Sequence, residues 1–212
     1  MAILTALAEV LAPQRCALLV VDVQRDFVHP AGWSARRDPQ AAALRDVVPV
    51  INALVRGARR AAVPVVYVTM EHGPEVDAPN YQARYARRGM TDEILCARGS
   101  WGAALDDTLL PPEPGDLRVV RHTYDAFART SLHDLLQARG VETVVGTGVV
   151  TDLCVRTTLE HAFALGYYVV AVEDATAAVP PEAARAALDH LARFVGEVVP
   201  AATVLGVWSR EA

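Results

Sequence analysis

Short apolar runs alternate along the chain with longer segments in which apolar residues recur every three to four positions. The runs ALLVVD (17–22), VPVVYVT (63–69), LRVVR (117–121), VETVVGTG (141–148), YYVVAVED (167–174) and ATVLG (202–206) read as six strands, being brief and mostly rich in β-branched residues. Helical patterns lie between them. In DPQAAALRDVVPVINALVRGARRA (38–61) Leu44, Val47, Val48, Ile51, Leu54 and Val55 share one face, with Pro49 marking a kink or a late start. SLHDLLQARG predicts a helix ending at Gly140, TDLCVRTTLEHAFALG (151–166) one closed by Gly166, and PEAARAALDHLARFV (181–195) another. At the start of the chain Ile3, Leu4, Leu7, Val10 and Leu11 have the spacing of a short amphipathic helix. From Met70 to Pro114 no period emerges and Gly, Pro and charge dominate. That stretch reads as a long loop, and loops of such length are usually functional.

Strands that are apolar nearly throughout suit a parallel sheet covered by helices on both faces. The pattern therefore predicts an α/β fold of three layers, with residues 1–212 as a single domain free of linkers and internal repeats. Composition narrows this further. Hydrophobic residues at 52% and charged residues at 21% exclude a disordered chain or a coiled coil. Twenty Lys+Arg against twenty-five Asp+Glu give a net charge of -5, which argues against a nucleic-acid partner. No apolar run reaches the roughly 18 residues that cross a bilayer, and the N-terminus lacks the basic segment of a signal peptide. The expectation is a cytoplasmic protein with no membrane partner. Cys16, Cys96 and Cys154 are odd in number, widely spaced and without a CxxC, a usage that fits a reducing compartment rather than a disulfide framework or zinc site.

Open parallel sheets place their sites beyond the carboxyl ends of the strands. Asp22 follows the first strand, Arg121 ends the third, and Cys154 follows the fourth. An acid, a cation and a thiol at one sheet edge form a constellation for covalent acyl transfer. Thr151 or Asp152 can cap the following helix, which puts Cys154 in its first turn. There the helix terminus lowers a thiol pKa and presents unpaired N–H groups to an oxyanion. Each residue also has a plainer reading: a small core residue, a loop cap, a surface ion-pair partner. Asp26 is a rival acid, expected to be more exposed.

Taken together, VVDVQRDF (20–27), RGSWGAAL (98–105), RHTYDAF (121–127) followed by RTSL, GVVTDLCVRTTLEHAFALGY (148–167) and VVAVEDATAA (169–178) resemble the isochorismatase-like cysteine hydrolase family. Within it the resemblance is to the amidohydrolase branch related to N-carbamoylsarcosine amidohydrolase and the biuret and ureidoacrylate hydrolases. The resemblance implies a Rossmann-like six-stranded parallel sheet of order 3-2-1-4-5-6, with Asp22 and Cys154 at the switch point. It also implies Asp22 as catalytic acid/base, Cys154 as nucleophile, and a cis peptide at Val149–Val150 that turns the Val150 N–H, with that of Cys154, toward the substrate oxygen. The family's third catalytic residue is a lysine, and Arg121 stands at that position. Arginine keeps the charge but is bulkier and planar, and the two are not interchangeable at a tight site.

Nicotinamidases of the superfamily hold a metal through a DxH pair and a later His. The corresponding stretch here, TMEHGPEVDAP (69–79), has Glu71 and His72 but no DxH. No metal or other cofactor is expected, and His72 reads as a solvated loop residue. Phe27 and Trp101 either line an acyl pocket or simply pack, and Gln24 either faces the site or caps its loop. Tyr124 and Phe127 read as structural. Arg84, Arg87 and Arg88 read as a solvated face, with an anionic substrate or a neighbouring subunit as the lesser reading. Cys16 and Cys96 read as inert. The expected activity is hydrolysis of a small amide or N-carbamoyl C–N bond through a thioester. Two alternatives remain: a catalytically impaired binding or partner protein, prompted by Arg121, and isochorismatase-type vinyl-ether hydrolysis, which needs an acid but no nucleophile. On family grounds a homo-oligomer, dimer or tetramer, is expected.

Overall fold

All six residues of the strand Cys16–Val21 are buried, because it lies in the interior of a sheet with helices covering both faces. A computed structural model describes residues 3–90 and 93–210. In chain order the elements are α1 (Leu7–Val10), β1 (Cys16–Val21), α2 (Arg25–Val28), α3 (Trp33–Arg37), α4 (Val48–Arg60), β2 (Val65–Met70), α5 (Pro79–Ala86), β3 (Leu117–Arg121), α6 (Leu132–Gln137), β4 (Thr143–Val149), α7 (Arg156–Ala164), β5 (Tyr168–Ala177), α8 (Pro181–Phe194), β6 (Glu197–Val199) and α9 (Ala201–Trp208). The strands form one parallel sheet in the order β3-β2-β1-β4-β5-β6. Chain direction along the sheet reverses between β1 and β4. Right-handed crossovers then put α4 on one face and α7 and α8 on the other.

At the reversal the two strands approach very closely. Val21 pairs with Gly148, whose φ is +112°, and a Cβ there would sit 2.0 Å from the Val21 carbonyl oxygen. Only glycine fits. Just beyond it the Val149–Val150 peptide is cis, where the resemblance puts it.

The final strand is misplaced in the sequence reading. Residues 202–206 lie in helix α9, and the sixth strand is Glu197–Val199. Ala201, Val204 and Trp208 recur at helical spacing and are all buried, and Pro200 opens the helix. A five-residue apolar run fits either period, so its length could not decide. The long pattern over 38–61 also divides. A 3-10 segment, Pro39–Arg45, is capped by the Asp38 carboxylate on the Gln40 N–H, and α4 begins only at Val48 with Pro49 in its first turn. The N-terminal helix is a single turn. Inside the supposed loop of 70–114 lies α5.

Candidate active site

Asp22 leaves β1 with φ +54°, a left-handed kink that turns its side chain out of the strand alternation. Its carboxyl is fully buried. Arg121 is equally buried and ends β3, two strands away across β2. At nearly 5 Å per strand only a long side chain spans that gap. The Arg121 Nη2 donates to Asp22 Oδ2, and its Nη1 to the Thr123 carbonyl. Asp22 Oδ1 has no formed hydrogen bond. The Cys154 thiol is the neighbouring group, near enough that thiol and carboxyl perturb each other's titration.

Cys154 does not sit in an ordinary first turn capped by Thr151 or Asp152. Residues Thr151–Val155 form one wide π-type turn led by Val150, with no side-chain cap, and the Val155 N–H reaches the Val150 carbonyl at 3.2 Å. Such turns recur at functional sites. The expected lowering of the thiol pKa is absent too. Burial pushes Cys154 up to about 12, although Arg121 pulls the other way. Burial likewise raises Asp22, against the opposing charge of Arg121. The thiol therefore rests protonated, beside both the Asp22 carboxyl and the Arg121 guanidinium.

Cys154 opens into a cleft of about 190 Å³ that Phe27 and Val150 also line. Trp101 does not line it: its indole is half exposed, 4.9 Å edge-on from His29 and 5.3 Å from the Arg25 guanidinium. Gln24 is fully buried, and its amide is occupied by backbone. Nε2 donates to the Met70 and Ala103 carbonyls, and Oε1 accepts from the Met70 N–H, at 2.7–2.8 Å. It clasps β2 to the segment around Trp101 instead of facing substrate. Asp26 is buried, and its carboxylate takes the backbone N–H groups of Trp33 and Cys96. That makes it an anchor with no free oxygen for proton transfer. Phe127 packs against His161 and Tyr167.

Tyr81 and Tyr85, both from α5, face the cleft and escaped the sequence reading; Arg84 from α5 and Arg88 just beyond it, read there mainly as a solvated face, and Tyr124, read as structural, line the cleft as well. They lie in or near the aperiodic segment, where nothing marked a helix. His72 is buried, not solvated. Its Nδ1 is 2.6 Å from Asp77 Oδ1 and its Nε2 2.7 Å from the Tyr81 hydroxyl, which lies 3.2 Å from that of Tyr85. Burial lowers the His72 pKa against the pull of Asp77. A neutral ring donates from Nδ1 to the carboxylate, so Nε2 accepts the Tyr81 proton. The chain Asp77–His72–Tyr81–Tyr85 thus fixes one wall of the cleft.

Residues 16–203 match the isochorismatase domain family. The chain belongs to the isochorismatase family. It is 36% identical to a ureidoacrylate amidohydrolase (RutB) of Methylobacterium radiotolerans, over 94% of this chain and 83% of that protein. Among solved structures it resembles a cysteine hydrolase of Pseudomonas syringae pv. phaseolicola 1448A, at TM-score 0.82 and 29% identity, covering 94% of this chain and 95% of that one. It also resembles the N-carbamoylsarcosine amidase of Thermoplasma acidophilum, at TM-score 0.72 and 30% identity, covering 88% and 96%. The observed strand order is the one this family resemblance implies.

Proposed function

We propose that this isochorismatase-family hydrolase cleaves a small amide or N-carbamoyl C–N bond through a thioester on Cys154. The observation that carries the reading is the buried Asp22–Arg121 pair beside the buried thiol. Asp22 takes the thiol proton as Sγ bonds to the carbonyl carbon. The N–H groups of Val150 and Cys154 hold the oxyanion. As the intermediate collapses, the C–N bond breaks and Asp22 gives its proton to the departing amine or ammonia. Asp22 then takes a proton from water, the hydroxyl adds to the thioester, and the thiol leaves with that proton. An ordinary thiol pKa is not required, because proton transfer accompanies attack. Arg121 holds Asp22 in place and keeps charge balanced through both halves. The free cysteines support a reducing, cytoplasmic setting, and among the described residues no helix is long and apolar enough to cross a membrane.

Ammonia release from a panel of small amides and ureides tests this. Cys154→Ser and Asp22→Asn are each expected to lose at least about a thousandfold in kcat/KM. Vinyl-ether hydrolysis surviving in Cys154→Ala would overturn the covalent route. Arg121→Lys is expected to retain activity. Activity that appears only in Arg121→Lys would instead mark the natural chain as a binding protein.

A further inference from the structure

The phenols of Tyr81, Tyr85 and Tyr124 line the cleft beside Cys154. Two of them are committed. Tyr81 gives its proton to His72 Nε2, because the Asp77 carboxylate takes the proton of Nδ1, and the Tyr85 hydroxyl lies 3.2 Å from that of Tyr81. Toward any further group Tyr81 can only accept. The Tyr124 hydroxyl is buried and has no formed hydrogen bond. Burial keeps it protonated, although Arg84 and Tyr81 pull the other way. With its hydrogen turned to Tyr81, its lone pairs are left for the cleft.

The backbone ties this residue to both reacting groups. Residues 122–126 lead away from the end of β3. The Thr123 carbonyl accepts from Arg121, the partner of Asp22. The Ala126 N–H donates at 3.1 Å to the hydroxyl of Thr158 in α7, the helix that continues from the turn of Cys154. Tyr124 lies between these two tethers, and the thiol is near enough to affect the titration of Tyr81 and Tyr124. Buried polar atoms in native proteins are nearly always paired, and a bound water needs about two to four polar partners. The two halves of the reaction differ in that need. During acylation the departing nitrogen is already bonded to the carbonyl carbon and needs no separate placement. During deacylation the water is a free reactant, and holding it counts most.

We propose that Tyr124 holds the water that cleaves the thioester, and so serves as a catalytic residue of the second half-reaction. This deepens the hydrolase reading above and rests on it. The water donates one hydrogen to Asp22 and the other to the Tyr124 oxygen, which leaves a lone pair for the acyl carbon. The new C–O bond forms as Asp22 takes its proton. The C–S bond then breaks, and the sulfur leaves with that proton as the thiol. Tyr124 exchanges no proton, so it acts by placement alone.

Acetylation by p-nitrophenyl acetate separates the halves. p-Nitrophenolate release measures acylation, and after rapid removal of the reagent the decay of acetyl-Cys154, read by peptide-resolved mass spectrometry, measures deacylation. Tyr124→Phe removes one oxygen and is expected to match the wild type by circular dichroism. Its acylation should stay within about twofold of wild type, while its acetyl-enzyme should decay about tenfold or more slowly. Hydroxylamine, a stronger nucleophile that depends less on placement, should close most of that gap, a rescue that a merely structural role would not give. Unchanged decay in Tyr124→Phe, or both halves slowed in parallel, would overturn the proposal and leave the hydrolase reading standing. A wild type never acetylated on Cys154, or equal turnover by Cys154→Ala, would overturn the thioester reading and the proposal with it.

Discussion

Asp22 and Cys154 are both fully buried beside Arg121, and that burial sets the pH behaviour of both. To accept a proton Asp22 must be ionised, and burial raises its pKa above the ordinary 3.8. The acid limb of kcat/KM is therefore expected at a pH above 3.8, with activity lost as pH falls through it. The thiol moves the same way. With Cys154 at about 12, its thiolate fraction at pH 7 is about 10⁻⁵, against a few per cent for an ordinary thiol. Iodoacetamide labelling of native Cys154, followed by peptide-resolved mass spectrometry, should then be slow at pH 7. It should climb about tenfold per pH unit to pH 9 without a plateau. A plateau below pH 9 would show a pre-formed thiolate and contradict concerted transfer. The convergence of Asp22, Arg121 and Cys154 was legible in the sequence because a parallel sheet brings strand ends to one edge. Their protonation was not, since it depends on burial that no spacing reveals.

Among the elements, the β1–β4 seam is the least tolerant part of the fold. A methyl group at Gly148 meets the Val21 carbonyl oxygen at 2.0 Å and its nitrogen at 2.6 Å, and backbone in a sheet interior cannot give way. Gly140 offers the contrast: φ is +65°, and a methyl group added there would meet nothing within 4 Å. Gly140→Ala should cost only the left-handed strain, about 1 kcal/mol. Gly148→Ala should prevent the sheet from closing, and soluble yield with circular dichroism would separate the two. Similar costs would mean that the strands do not approach so closely. The alternation of apolar runs announced five of the strands here. It failed at 202–206, where Ala201, Val204 and Trp208 fit a helix as well as a strand. It was silent on α5, whose hydrophobic pattern is broken by Arg84 and Gln82 and whose Tyr81 and Tyr85 serve a cleft rather than a core face.

Over the whole molecule, chemistry and support occupy opposite ends of the sheet. The six residues of β1 span roughly 20 Å between the segment around Leu11 and the kink at Asp22. At the far end Trp208 is fully buried, and its indole donates to the Leu11 carbonyl at 3.1 Å. The Thr143 hydroxyl meets the Val10 carbonyl at 2.7 Å, so α9, α1 and the start of β4 are tied together there. Trp208→Ala removes a large core side chain and that hydrogen bond, a loss of about 3–5 kcal/mol. For a chain of this length that is a fall in melting temperature on the order of 10 °C. None of these groups reaches the cleft, so kcat/KM measured well below the transition should change by less than about twofold. Thermal unfolding and steady-state rates on the same preparation test both halves. A large loss of kcat/KM in a still-folded Trp208→Ala would mean that packing at the amino ends of the strands sets the alignment of Asp22, Arg121 and Cys154. The site would then depend on the whole sheet, and not on its carboxyl edge alone.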